Sequence, residues 1–295
     1  FGAAAACAHL LKLRPRLINN TLGIAGTLAA GLRANRGTMA KGLNAGRAAE
    51  NGLLAATLAT EGFTASQNIF DDPMGFFAAM CRNRVDRNLL RFGDPFFFAK
   101  PGVALKLYPC AGVLHPALDL TLEMRRQYGI EAQHIERISV ILDEKAALPL
   151  VYDEPKHILE AKFSLHFAVA VAIAEGAAGL KQFSEEPVRN PRIRNLMKRI
   201  DLVQRPALKQ TSRTGIDTEI EITLKSGAKH RERVAIARGH PDLPASRAQI
   251  EEKFRQCADG VLPATAVRKF LSDFSTLERA SSIDAWLRPL RPSRR

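Results

Sequence analysis

Along the first hundred residues, apolar and small side chains recur at helical intervals. Leu22, Ala25, Leu28 and Ala29 follow such a spacing, and Ala45, Ala49, Gly52, Ala56 and Ala59 line one edge of a second helix over about 46–60. Small residues at those steps let helix backbones approach to the usual interaxial distance of about 8–10 Å or below it. Gly62 is placed to stop this helix. A glycine-rich loop over 31–46 is expected ahead of it, and 73–81 reads as a short helix. Around 92–101 the run FGDPFFFAKPG is rich in turns and aromatics, which sets a domain boundary there.

Beyond that boundary the period keeps changing. Pro116 suits the first turn of a helix reaching Tyr128 and ended by Gly129. Ile138, Val140 and Leu142 alternate as in a strand, whereas 161–174 is apolar on nearly every side and predicts a buried helix. Thr218–Leu224 and Arg231–Ala237 alternate on either side of Ser226-Gly227, the pattern of a hairpin. Ser246 with Gln249 makes a capping box before Ile250, Phe254 and Cys257, short helices follow, and the tail LRPLRPSRR is expected to fray. The organisation read from this pattern is a helical domain over 1–101 and an α+β domain over 102–241. Helices over 242–295 are expected to return to the first domain.

The chain has 295 residues, room for one large domain or two ordinary ones. With 46% hydrophobic and 25% charged residues it sits at globular averages, which excludes a disordered chain. No stretch reaches the roughly 18–20 apolar residues of a membrane span, so a soluble protein without a membrane partner is expected. The opening FGAAAACAHLL lacks the basic segment and cleavage site of a secretory signal and reads as a start inside a helix, an N-terminal truncation. Four cysteines without a CxxC pair argue against zinc and iron–sulfur sites and for a reducing, cytoplasmic setting. The net charge of +13 admits nucleic acid, an anionic membrane or a small polyanionic substrate. Aromatics make up only 6%, which weakens any stacking role. The cluster Arg189, Arg192, Arg194, Lys198 and Arg199 therefore reads as a solvated face, and no nucleic-acid partner is expected.

Two stretches could carry chemistry. In 37–47, Thr38, Lys41, Asn44 and Arg47 lie among three glycines just before a helix, where free N–H groups and the helix dipole favour a carboxylate or phosphate. A Walker loop is excluded because the GK[ST] ending is missing, and the competing reading is a helix start with solvated basic residues. In 106–115, Lys106, Cys110 and His115 flank a Pro/Gly turn. A Cys–His nucleophile pair is conceivable there, against the plainer reading of a buried Cys110 and a helix-start His115. His166, within the apolar helix, reads as a hydrogen-bonded core or interface histidine.

Several long blocks then carry a resemblance: FGAAAA at the start, LGIAGTLAAGLRANRGTMAKGLNAGRAAENGLLAA over 22–56, EGFT at 61–64, YPCAGVLHPALD, EAKFSLHFAVAVAIAEG and GHPDLPASRAQIEEKF. Together they make the chain similar to the MmgE/PrpD family from end to end. The resemblance implies a large all-helical domain with a smaller α+β lid, homodimers, and lyase or isomerase chemistry on small di- and tricarboxylates without metal or organic cofactor. Its shared step is proton transfer at a carbon next to a carboxylate. Lys41 and Lys106 match the family's lysines and are expected to face the cleft between the two domains as catalytic groups. Thr38, Asn44, Arg47 and His115 are the candidates for substrate binding. The chain departs from the family pattern at Gly42 and Leu43-Asn44, where Pro and His are usual, and at Phe167, where a tyrosine is usual. The family's catalytic histidine lies ahead of the block that begins at Phe1. The expected function is dehydration of a 2-methylcitrate-like hydroxy acid; the alternative is a degenerate member that binds anions or a partner subunit without turnover.

Overall fold

The computed structural model describes the chain except residues 83, 90–92, 94, 207–215, 275, 281 and 292–295. Two compact units divide between Phe97 and Phe98. The first is helical and the second mixes helices with one sheet, an α plus α+β architecture. The segment 242–295, expected to return to the helical domain, falls within the second unit. Of the boundary run, residues 92 and 94 lie outside the described residues, as do the last four of the tail, whose Arg288–Leu290 forms a 3₁₀ turn.

The first unit comprises α1 (Gly2–Leu10), α2 (Pro15–Thr27), α3 (Ala40–Thr60) and α4 (Phe76–Cys81). Pro15 opens α2, where its missing N–H has no helical partner to lose. Both α1 and α2 pack on α3. At Gly52 of α3 a Cβ would lie 2.5 Å from Ala3 Cβ and 2.6 Å from the Ala4 backbone nitrogen, so the α1–α3 approach depends on a missing side chain. The core here is small in volume: Ala4, Ile24, Ala25, Ala55 and Ala59 are buried, and Phe1 packs edge-on against Phe76. Helix α3 begins at Ala40, not near 46, so Lys41, Gly42 and Asn44 are helical rather than in a loop. The glycines argued for a loop, yet propensity is a weak prior, and the helix packed through Gly52, Ala55, Ala56 and Ala59 extends back over exposed turns to Ala40.

The second unit is built on a four-stranded sheet of β1 (Ile135–Asp143), β2 (Ile200–Arg205), β3 (Thr218–Leu224) and β4 (Lys229–Val234), in the order β2-β1-β3-β4. Strands β1 and β2 are parallel, with Val140 opposite Leu202. A parallel pair needs a long crossover, supplied here by α6 (Glu144–Ala147), α7 (Ile158–Ala161), α8 (Leu165–Glu175), α9 (Glu185–Arg189) and α10 (Pro191–Met197). Before the sheet comes α5 (His115–Tyr128), ended by Gly129 in the left-handed conformation. Helix α5 packs against β3, β4 and α8, and α8 packs against β2. Ile138, Val140, Leu142, Ile220 and Ile222 turn inward and are fully buried, as are Leu165–Ala172 except His166. Ser164 caps α8 by accepting the Phe167 N–H at 3.1 Å. The opposite sheet face carries charge: Arg137 donates to Asp201 at 2.6 Å, Arg233 to Asp217 at 2.7 Å, and Arg231 pairs with Glu219.

The expected hairpin is β3–β4, but its second strand stops at Val234, and 235–242 turns away. Strand β2 was hidden by the basic run before it. That run is not one solvated face. Arg189 and Arg192 are exposed, but Arg194 donates to the Pro155 and Val188 carbonyls and Arg199 to the Ile135 carbonyl, tying the crossover to the sheet. The chain closes with α11 (Arg247–Ala258), whose Ser246–Gln249 capping box is present, then α12 (Ala264–Phe274) and α13 (Ile283–Leu287). Among the described residues no helix is long and apolar enough to cross a membrane.

The glycines of α3 predict opposite outcomes. Nothing lies within 4 Å of a Cβ added at Gly42 or Gly46, so alanine at either is expected to raise stability by up to about 1 kcal/mol. Gly52→Ala is expected to lower it by about 1–3 kcal/mol by forcing α1 off α3. Thermal unfolding of the three variants of the whole chain checks both signs.

Candidate functional site

In the second unit, three walls together with Ile216, just ahead of β3, line a cavity of about 490 Å³, inside the roughly 300–1,000 Å³ range of small-molecule pockets. One wall is the run 101–106 with the turn at 112–113; the second is the start of α5; the third is 236–242, the segment that leaves the hairpin. Leu105, Val113, Pro116, Ile216 and Ile236 make it largely apolar, and Lys106, His115, Arg238, His240 and Asp242 supply the polar groups. Charges in such a setting act more strongly than in water, because few mobile dipoles screen them.

The walls are joined by hydrogen bonds. The Leu105 N–H donates to the Gly239 carbonyl at 2.7 Å. Gly239 has φ +87°, and a Cβ there would sit 2.2 Å from the Leu105 oxygen, so both the conformation and the contact require glycine. Asp119 of α5, mostly buried, accepts the Tyr108 hydroxyl at 2.6 Å and, from Arg238, the backbone N–H at 2.7 Å and Nε–H at 2.8 Å. Arg238 Nη2 donates in turn to the Tyr108 hydroxyl at 2.7 Å. Burial and the neighbouring Asp119 push the Tyr108 phenol far above its ordinary value, so it stays protonated and donates.

Lys106 Nζ donates to the Cys110 carbonyl at 2.9 Å, which holds the ammonium at the turn. His115 is buried, stacked edge-on to Tyr108 at 5.2 Å, and hydrogen-bonded to the Tyr108 backbone. Its Nε2 has no hydrogen-bond partner among the described residues. Burial, with Lys106 nearby, lowers its pKa to about 4, so the imidazole is neutral near pH 7. Cys110 is buried and its thiol is pushed up to about 12 by desolvation. That value opposes a thiolate nucleophile and agrees with the reading of a small buried hydrophobe.

The remaining candidates lie in the first unit. Lys41 is exposed in the first turn of α3. The Thr38 hydroxyl donates to the Asn35 carbonyl at 2.7 Å and Asn44 Nδ2 to the Leu32 carbonyl at 3.4 Å, both bracing the turn that leads into α3. Arg47 pairs with Glu50 at 2.7 Å on the exposed face. His166, expected to be hydrogen-bonded, instead has Nδ1 without a hydrogen bond among the described residues, 3.5 Å from Asp153 Oδ1. The family's tyrosine position holds Phe167, fully buried and edge-on to Phe183 at 5.5 Å. Among the described residues no three His, Cys, Asp or Glu side chains converge as metal ligands would.

Sequence reasoning reached Lys106 and His115 but missed Arg238, Asp119, Tyr108 and His240. Asp119 and Tyr108 were in view within YPCAGVLHPALD, and His240 opened the GHPDLP block. Arg238 had no signal of its own, since the partner that gives it meaning is Asp119, far along the chain.

Comparison with known proteins follows the same two units. Residues 1–87 match the MmgE/PrpD N-terminal domain and residues 108–278 the MmgE/PrpD C-terminal domain. Relatives include cis-aconitate decarboxylase of Mus musculus, 27% identical across 94% of this chain and 57% of that protein. The Homo sapiens protein of the same name is 27% identical across 94% and 58%. That of Aspergillus terreus is 24% identical across 96% and 61%. The chain thus spans about three-fifths of the length of these curated relatives.

A pH-stability experiment tests the buried neutral histidine. Between pH about 6.5 and about 4 the unfolded chain takes up a proton at His115 that the folded chain refuses, so stability falls as pH drops through that window. The loss attributable to this side chain is roughly 3 kcal/mol. Denaturant unfolding of His115→Gln against the unmutated chain is expected to show that part of the slope removed, while stability differences above pH 6.5 stay constant.

Proposed function

From the premise that the chain belongs to the MmgE/PrpD family, we propose that it comes from a lyase acting on small di- or tricarboxylates. The observation that carries this reading is the largely apolar cavity of the second unit, with the Lys106 ammonium held at its wall and neutral His115 beside it. The activity for which the relatives are named, cis-aconitate decarboxylation, supports the same class of acid.

The reaction in this reading is dehydration of a 2-methylcitrate-like hydroxy acid. A C–H bond next to a carboxylate loses its proton, the electron pair moves into the new C=C bond, and the hydroxyl leaves as water. Such a C–H bond is acidic only while cations hold the growing negative charge. Lys106 carries that task here, and Lys41 is assigned it in the first unit, with Thr38, Asn44 and Arg47 along the same turn and helix start. Neutral His115 orients the substrate by hydrogen bonding without adding charge. The proposal includes a homodimer in a cytoplasmic setting, needs no metal or organic cofactor, and assigns no nucleic-acid or membrane partner.

A second reading, anion binding without turnover, draws on two observations. Asn44 is engaged by the Leu32 carbonyl, and Phe167 places an apolar ring in the core where the family has a hydroxyl.

Calorimetric titration of the 295-residue chain with citrate and tricarballylate tests the carboxylate site that both readings require. Lys106→Met removes one charge-assisted contact worth about 1.5–3 kcal/mol, so binding is expected to weaken roughly 10- to 150-fold. Unchanged affinity in that variant overturns the assignment of Lys106. Product formation from 2-methylcitrate or cis-aconitate then separates the lyase from the silent binder.

A further inference from the structure

We propose that Arg238 is a second carboxylate-binding group of the cavity, and that Asp119 and Tyr108 are its positioning residues. The inference rests on the reading of this cavity as a carboxylate site and assigns it a residue and a geometry. Arg238 lines the same cavity as Lys106 and His115. Its guanidinium has five N–H donors in a rigid plane. Nε donates to Asp119, and Nη2 lies 2.7 Å from both Asp119 Oδ1 and the Tyr108 hydroxyl; among the described residues no acceptor is paired with Nη1. The two donors of Nη1 remain, and the side chain is 43% exposed, so a ligand can reach them.

A purely structural role explains the site less well. The segment 236–242 is already tied down through its backbone: Arg238 N–H to Asp119, Leu105 N–H to the Gly239 carbonyl, and Gly239 N–H to the Leu243 carbonyl at 2.9 Å. What Asp119 and the Tyr108 hydroxyl add is a fixed orientation, with Asp119 against Nε and Nη2 and Tyr108 against Nη2, leaving Nη1 without an acceptor among the described residues. Fixing the plane in advance removes the ordering cost of a long side chain when an anion arrives.

The charges support an acid with several carboxylates. Lys106 presents a point charge, and Arg238 presents the N–H donors of Nη1 on a plane that Asp119 and Tyr108 hold in place. Asp119 is spent on its donors, and Asp242, which also lines the cavity, is 62% exposed and lies 3.5 Å from His240. Lys106 and Arg238 line the same cavity, a pairing that suits a ligand bringing two or three negative charges.

The test is calorimetric titration of tricarballylate into the 295-residue chain and into Arg238→Gln, Arg238→Lys, Asp119→Asn, Lys106→Met and the Asp119→Asn/Arg238→Gln double variant. Folding of each is verified by circular dichroism. Arg238→Gln is expected to weaken binding at least tenfold. Arg238→Lys, which keeps the charge and loses the plane held by Asp119 and Tyr108, is expected to weaken it several-fold and serves alone if the glutamine variant does not fold. Asp119→Asn is expected to weaken binding several-fold in the unmutated background and not at all once Arg238 is gone. A merely structural Asp119 lowers affinity in both backgrounds. Folded Arg238 variants that bind within twofold of the unmutated chain, while Lys106→Met binds more weakly, overturn this inference and leave the carboxylate reading standing. Failure of the unmutated chain to bind tricarballylate or citrate overturns both.

Discussion

The Asp119 carboxylate is the point on which the cavity around Lys106 and His115 depends. It is mostly buried, and a buried ion is tolerable only when its lone pairs are taken up. Three donors do so, one from the turn at Tyr108 and two from Arg238, so one side chain of α5 fastens together all three walls. With donors on both sides, the charge stays where it is and the loop stays with it. The same contacts leave the cavity with a lysine, an arginine and a neutral histidine facing a largely apolar lining, a combination suited to binding anions selectively.

Behind this site lies the packing that makes α5 immobile. Helix α8 is buried on nearly all sides, which is possible only because α5, α10 and the sheet each cover part of it. Arg125 of α5 donates to the Ile173 carbonyl at 2.8 Å and so ties α5 to the end of α8. The rigid part of the unit thus carries His115 and Asp119, while the loops around it carry Lys106 and Arg238. Function placed on loops over a packed scaffold is the usual division of labour.

The first unit follows a different logic. Its helices have little volume to bury and gain stability by close approach, with Gly52 against α1 and Gly23 against the Ala65–Ser66 backbone. Close backbone contact compensates for the shortage of large side chains, at the expense of tolerance: one methyl group at Gly52 meets backbone, not a movable side chain. Gly42 and Gly46 on the same helix meet nothing, which shows that the glycine content of α3 is not one feature but two.

Much of this was legible in the chain because its causes are local. The α5 boundaries at Pro116 and Gly129, the capping box at Ser246 and the turn at Ser226-Gly227 depend on backbone groups within a few residues, and the structure places each where the pattern does. The apolar circumference of α8 likewise announced a buried helix. Long-range partners decided the rest. Strand β2 exists because β1 offers it a parallel edge, the later turns of α3 are fixed by α1 and α2, and the Arg238 side chain is fixed by Asp119 of α5. Periodicity reports which face of an element is apolar; it carries no information about which distant residue will meet that face. That is why the sequence by itself determined the elements, and only the tertiary structure decided which side chains share a site.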